Sequence, residues 1–193
     1  HDVVFVGSRY PVQERFFEAL SEFDLAVWGS GWDRLPPGSA LESRVRGFHT
    51  PPEVWRKIYG TSKIVLAPHF KAPGESFPLY QASPRIFEAL ACGAFVICDG
   101  QKDVLSLFED GRHLVVARDP GEMREKVRYY LDHPAERERI AAQGREVVLS
   151  RHTYGERLRE LFSCLHARQS CALPPPGRAD AERETPSQEQ GAA

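Results

Sequence analysis

Arg85 and Glu88 stand three positions apart in the run Ser83-Pro84-Arg85-Ile86-Phe87-Glu88-Ala89-Leu90-Ala91-Cys92-Gly93, which places a cation and a carboxylate on one side of a short helix. Ser83 suits the N-cap, Pro84 the first helical position and Gly93 the residue just past the end. A cation in the first turn opposes the helix dipole by a few tenths of a kcal/mol to about 1 kcal/mol. Its presence points to an anion held between Arg85 and the free N–H groups of that turn. Guanidinium, backbone N–H groups and carboxylate together form a set able to hold a phosphorylated sugar. The plainer alternative is an i, i+3 ion pair on a solvated face, worth a few tenths of a kcal/mol.

Other residues have weaker claims to chemistry. The turn Gly7-Ser8-Arg9 holds one glycine where a dinucleotide fingerprint needs three, and no acid stands directly at the end of the second strand, so nicotinamide and flavin readings are disfavoured. No P-loop occurs either. Gly7 permits close backbone approach, and Ser8 and Arg9 beside it either meet a ligand or form a tight turn with a solvated arginine. His49 and His69 each follow a strand and are placed to touch a ligand, but no neighbouring carboxylate or cysteine pattern makes them a metal site. Trp28, Trp32 and Trp55 read as core or rim packing. No Ser-His-Asp arrangement or paired-carboxylate spacing stands out.

The elements that must position these residues are legible as strand-helix alternation. Apolar runs predict strands at Val3–Val6, Leu25–Trp28, Lys63–Ala67, Ala94–Cys98 and His113–Ala117, with a weaker one at Val45–Phe48. Helices are expected from about Val12 to Leu20, from Pro51-Pro52 through Tyr59, from Ser83 to Gly93 and around Val104 to Phe108. The remainder reads as helical, with Met123, Val127, Tyr130 and Leu131 on one face, Tyr154, Leu158, Leu161, Phe162 and Leu165 on another, and a break at Asp132-His133-Pro134. Right-handed crossovers between such elements imply an α/β fold, a doubly wound, Rossmann-like parallel sheet of about six strands. Ligands on such sheets lie beyond the carboxyl ends of the strands. The loop from His69 to Ala82, about 14 residues, is long enough to be functional. Within it Gly74 to Pro78 either line a pocket or, for Glu75 and Lys71, carry solvated charge.

At 193 residues the chain accommodates one domain, residues 1–168, and a tail, residues 169–193, too polar to bury and expected to be disordered. A formal net charge of −2 gives no general reason to bind nucleic acid or anionic membrane. Cys92, Cys98, Cys164 and Cys171 form no C-x-x-C pair and read as reduced thiols of a cytoplasmic protein. No run approaches the roughly 18 apolar residues of a membrane span, and no secretory signal is visible. The chain enters a strand directly after His1-Asp2, as expected of the second half of a longer protein.

The run from Ser83 through Asp99, followed by Glu109-Asp110-Gly111-Arg112-His113-Leu114, resembles the C-terminal domain of group 1 glycosyltransferases of bacterial type, one half of a GT-B fold. The opening Val-Phe-Val-Gly, the Gly29-Ser30-Gly31-Trp32 motif and the closing Tyr154-Gly155-Glu156-Arg157-Leu158 are similar to the spore-maturation-protein-B-like members. The resemblance covers about Asp2 to Leu165. It implies a domain that binds a nucleotide-diphosphate sugar, usually of uridine or guanosine, and a separate N-terminal domain that binds the acceptor. It further implies that Glu88 accepts from the ribose hydroxyls. Ser83, Pro84 and Arg85 would flank the diphosphate and stabilise it as a leaving group, and Phe48 to Pro51 would bracket the base. With Gly7, Ser8, Arg9, His49 and His69, these complete the expected donor site, and no metal or further cofactor is expected. One departure is Tyr80, where many group 1 enzymes carry a first glutamate, with Glu75 as a substitute from the loop. Two rivals are a nucleotide-sugar epimerase half and a non-catalytic nucleotide-sugar-binding module.

Overall fold

The computed structural model describes residues 1–69 and 81–170. In chain order the elements are β1 (Val3–Val6), α1 (Pro11–Glu18), β2 (Leu25–Trp28), β3 (Val45–Gly47), α2 (Pro52–Thr61), β4 (Ile64–Ala67), α3 (Pro84–Ala91), β5 (Val96–Cys98), α4 (Lys102–Leu107), β6 (Val115–Val116), α5 (Pro120–Asp132), α6 (Pro134–Arg151) and α7 (Tyr154–Ser170). Two 3-10 turns, Trp32–Arg34 and Glu42–Arg44, replace a helix between β2 and β3. Each of α1, α2, α3, α5 and α6 has Pro in its opening turn, where the missing N–H costs no hydrogen bond. Gly93 follows α3 with φ +79°, a left-handed conformation that lets the chain turn into β5 without steric cost.

The six strands form one sheet in the order β3-β2-β1-β4-β5-β6, all pairs parallel. Both faces are covered, so the strands are apolar throughout and the pleat sends alternate residues to opposite layers. Val3 and Phe5 join Phe16, Phe17, Leu20, Trp32 and Tyr130 on one face. Val4 and Val6 join Ile86, Leu90, Val104, Phe108 and Val148 on the other. The expected break at His133 separates α5 from α6. The apolar stripe of α7 is present but exposed, with Tyr154, Leu158, Leu161, Phe162 and Leu165 all facing outward.

One feature of this sheet positions the site. The chain runs outward from β1 to β2 and β3, then returns to β4 on the other side of β1, which makes the β1/β4 boundary the topological switch point. There the sheet parts. β1 registers with β2 over four pairs, Val3–Leu25 to Val6–Trp28, but with β4 over two, Val3–Ile64 and Val4–Val65. Gly7 N–H donates to Trp28 O, so Val6, one residue earlier, turns its carbonyl toward β4 beyond the last pair.

The expectations for Lys71, Gly74 to Pro78, Glu75 and Tyr80 lie outside the described residues, as does the expected tail from Cys171 onward. α7 itself continues two residues past the expected boundary at 168. Among the described residues, Cys92, Cys98 and Cys164 are free thiols.

Candidate functional site

A hollow of about 240 Å³ occupies the switch point, lined by Ser8, Gln13, Pro68, His69, Ser83 and Arg85 among others. Arg85 is its cation. From the first turn of α3 the side chain reaches sideways to the sheet, where Nε donates to the Val6 carbonyl at 2.6 Å. The guanidinium lies over the Phe5 ring, 4.5 Å from its centroid, and is near enough to the Tyr59 hydroxyl on α2 to interact with it electrostatically. Burial lowers its pKa while Tyr59 and Glu88 oppose the shift, and an arginine so placed stays protonated. Burial likewise pushes the Tyr59 hydroxyl above its ordinary range, so Tyr59 is a neutral partner.

Gly7 is what allows this approach. A methyl group there would stand 2.1 Å from Arg85 Nη2. Gly29 in turn, at φ +132°, packs so closely on Gly7 that a methyl group would lie 2.1 Å from the Gly7 oxygen. Trp32 Nε1 donates to that same oxygen at 2.9 Å. The two glycine turns and Trp32 therefore brace the wall against which Arg85 rests.

The start of α3 is fixed by a buried relay. Asp99, at the end of β5, accepts from the His69 backbone N–H at 3.0 Å, from the His69 ring at 2.5 Å and from Gln101 at 2.8 Å. The other ring nitrogen, Nε2, accepts from the Ser83 N–H at 3.1 Å. That acceptor role assigns a neutral imidazole with its proton on Nδ1, facing Asp99. Both side chains are almost fully enclosed, at 1% and 3% exposure. The sequence shows His69 no carboxylate nearby; the structure supplies one from 30 residues away, because β4 and β5 are neighbours. Both His69 nitrogens are thereby engaged by the protein. Ser83 is the N-cap by position but makes no side-chain cap bond. With its N–H given to His69, no N–H on Pro84, and the Ile86 N–H bonded to Ser83 O, this helix start offers an anion fewer amides than expected.

Glu88 opens elsewhere. It lines a second hollow of about 500 Å³ with Phe87, Asp103, Leu107, His152 and Tyr154 among others, and the two hollows share Ala82 and Pro84. Arg85 does not line the larger hollow, nor Glu88 the smaller. The expected single face thus becomes two adjoining chambers on either side of the α3 start. Burial raises the Glu88 carboxyl above the ordinary carboxylate range, with Arg85 pulling it back.

The remaining expected residues are placed as follows. Ser8 Oγ pairs with Ser30 Oγ at 2.8 Å. Arg9 turns away from the hollow into an ion pair with Glu14 at 2.6 Å. Phe48 and His49 are exposed past the end of the edge strand β3, and neither lines either hollow. Sequence reasoning missed Asp99, Tyr59 and Gln13. For Gln13 a signal existed: it falls on the helical stripe of Phe16, Phe17 and Leu20, where a polar residue is out of place.

A family model described as glycosyl transferase-like matches residues 9–163. No curated protein sequence matches. Among solved structures, HepE of Anabaena in complex with UDP-glucose is 17% identical with a TM-score of 0.68, matching 86% of this chain and 48% of that one. Sucrose-phosphate synthase of Thermosynechococcus elongatus is 14% identical with a TM-score of 0.69, matching 89% of this chain and 46% of that one. The C-terminal domain of a glycosyl transferase group 1 family protein, LpcC, of Francisella tularensis is 13% identical with a TM-score of 0.59, matching 79% of this chain and 87% of that one. At these identities the likeness establishes the fold. The chain spans about half the length of HepE and of the synthase.

Proposed function

The chain belongs to the glycosyl transferase-like family, and from that premise we propose that it is the donor-binding half of a glycosyltransferase, transferring sugar from a nucleotide-diphosphate sugar to an acceptor held by another domain. The observation that carries this reading is the Arg85 chamber at the switch point, joined across Ala82 and Pro84 to the Glu88 chamber. A diphosphate over the ridge would meet the guanidinium, which stabilises the charge that develops on the leaving group. The ribose would then reach Glu88, whose half-buried carboxylate accepts from two hydroxyls. HepE, solved with UDP-glucose, shares the fold and favours the same ligand class. No metal or other cofactor takes part in this reading.

The acceptor half would dock where α7 now exposes its apolar stripe, since a row of such side chains at helical spacing suits a covering surface. Placement nearer the spore-maturation-protein-B-like members is supported by the bracing of Gly7 by Gly29 and Trp32, which gives the Gly29-Ser30-Gly31-Trp32 motif a structural task. The free thiols among the described residues favour a reducing compartment such as the cytoplasm.

Thermal unfolding tests the donor assignment. A uridine or guanosine diphosphate sugar should raise the melting temperature of the chain, and Glu88→Ala and Arg85→Ala should each abolish that rise. Arg85→Ala should also lower the melting temperature without ligand, because Val6 O loses its donor. If neither donor shifts the wild-type transition, the assignment is wrong.

A further inference from the structure

Gln13 sits in the first turn of α1 with 2% of its surface exposed. Its amide nitrogen donates to the Pro68 carbonyl at 2.9 Å. A carbonyl can only accept, so this bond fixes which way the amide faces. Oε1 is left buried, with no donor among the described residues. Buried polar atoms nearly always have partners, and leaving one without is destabilising. A methionine or leucine would continue the stripe of Phe16, Phe17 and Leu20 without that penalty.

Gln13, the residue that carries the unmatched oxygen, lines the same chamber as Arg85, together with Pro68, Ser8 and His69. Among the described residues none donates to that oxygen. The Ser8 hydroxyl is paired with Ser30, and both His69 nitrogens are engaged by Asp99 and Ser83. The chamber thus combines a cation in its wall with a residue whose neutral acceptor lacks a donor among the described residues. A fully ionised phosphate group answers only the cation. A sugar joined to a phosphate answers both, because its hydroxyls are donors carried on the same group.

We propose that Gln13 reads the transferred sugar: Oε1 accepts from one hydroxyl of the hexose while the phosphate attached to that hexose faces Arg85. This rests on the donor reading above and adds a specificity-determining residue to it. A nucleoside diphosphate brings no such hydroxyl to Oε1, so Gln13 distinguishes the donor from the product left after transfer.

Titration calorimetry on the 193-residue chain with UDP-glucose, UDP, GDP-mannose and GDP tests this. For the pair that the wild type binds, Gln13→Met should weaken the sugar nucleotide about tenfold and leave the nucleoside diphosphate unchanged. Analogues of the same donor lacking single sugar hydroxyls supply an independent arm. One of them should bind the wild type about tenfold more weakly than the parent, and Gln13→Met should not distinguish that analogue from the parent. Equal losses for sugar nucleotide and nucleoside diphosphate, or no loss for either as expected if Oε1 serves an ordered water, would overturn the assignment of Gln13 while the donor reading stands. If the wild type binds none of the four ligands, the donor reading falls and this inference with it.

Discussion

Gly7→Ala should cost far more than a single methyl group on a surface turn. The methyl would stand 2.1 Å from Arg85 Nη2, 2.8 Å from Cζ and 3.0 Å from Phe5 Cζ, where carbon contacts prefer about 3.5–4.0 Å. Gly7 cannot retreat, because its N–H is held by Trp28 O at 2.8 Å and its carbonyl by Trp32 Nε1 at 2.9 Å. Phe5 is fully buried, so the guanidinium has to move. Moving it breaks the Nε bond to Val6 O, a bond from a charged donor worth about 1.5–3 kcal/mol. It also lifts the cation off the Phe5 ring, worth about 0.5–1 kcal/mol. The expected loss is therefore roughly 2–4 kcal/mol, measured by urea unfolding. In an Arg85→Met background the flexible, uncharged side chain can yield, and the same substitution should cost about 1 kcal/mol or less. A near-wild-type Gly7→Ala protein, or an equal cost in both backgrounds, would refute the coupling of Gly7 to Arg85.

Two further outcomes follow from buried groups at the same site. Asp99→Asn places an amide donor where Gln101 now donates to a carboxylate and weakens the hold on His69; the expected loss is about 1–3 kcal/mol, with faster hydrogen exchange at Ser83 N–H, and a protein within about 0.5 kcal/mol of wild type would contradict the relay. Glu88 has its carboxyl raised above the ordinary 4.5 by burial, so the native state binds its proton more tightly than the unfolded chain and stability falls as pH rises through that window. Glu88→Gln should accordingly gain more melting temperature over wild type at neutral pH than at pH values below about 4, and an equal gain at both would show that burial does not strain the carboxylate.

The sheet and its order of elements were legible because the buried strands are apolar runs, three of them closed at once by Gly or Pro, at Val6-Gly7, Trp28-Gly29 and Ala67-Pro68. The bounds of α3 were legible from Pro84 and Gly93 for the same local reasons. Partners across the sheet were not. Arg85 and Glu88 are three residues apart in sequence, yet the atom that fixes Arg85 is a backbone carbonyl 79 residues away, and a carbonyl carries no sequence signature. His69 likewise takes its carboxylate from a neighbouring strand. Gln13 was readable in principle as a polar interruption of an apolar stripe. The stripe of α7 shows the opposite limit: periodicity gives a helix an apolar face but does not say what covers it.

The first-turn arginine poses an electrostatic problem that sheet topology resolves. A cation there is repelled by the helix N-terminus, and the simplest remedy is an anion lying between them. Arg85 instead leaves the helix sideways, toward the Val6 carbonyl that the parting of β1 from β4 leaves without a strand partner. The strand end gains a donor, and the helix start is relieved of a charge lying along its axis. Of the five guanidinium N–H donors, the one on Nε is taken by the Val6 carbonyl. At the same time Ser83 has given its N–H to His69 and Pro84 has none to give. In the proposed donor reading, the anion would therefore be held mainly by a guanidinium anchored to the sheet, with the helix amides secondary. A charge held at a switch point against Gly7 and Phe5 is fixed before any ligand arrives, which is the condition that the proposed stabilisation of a leaving group would require.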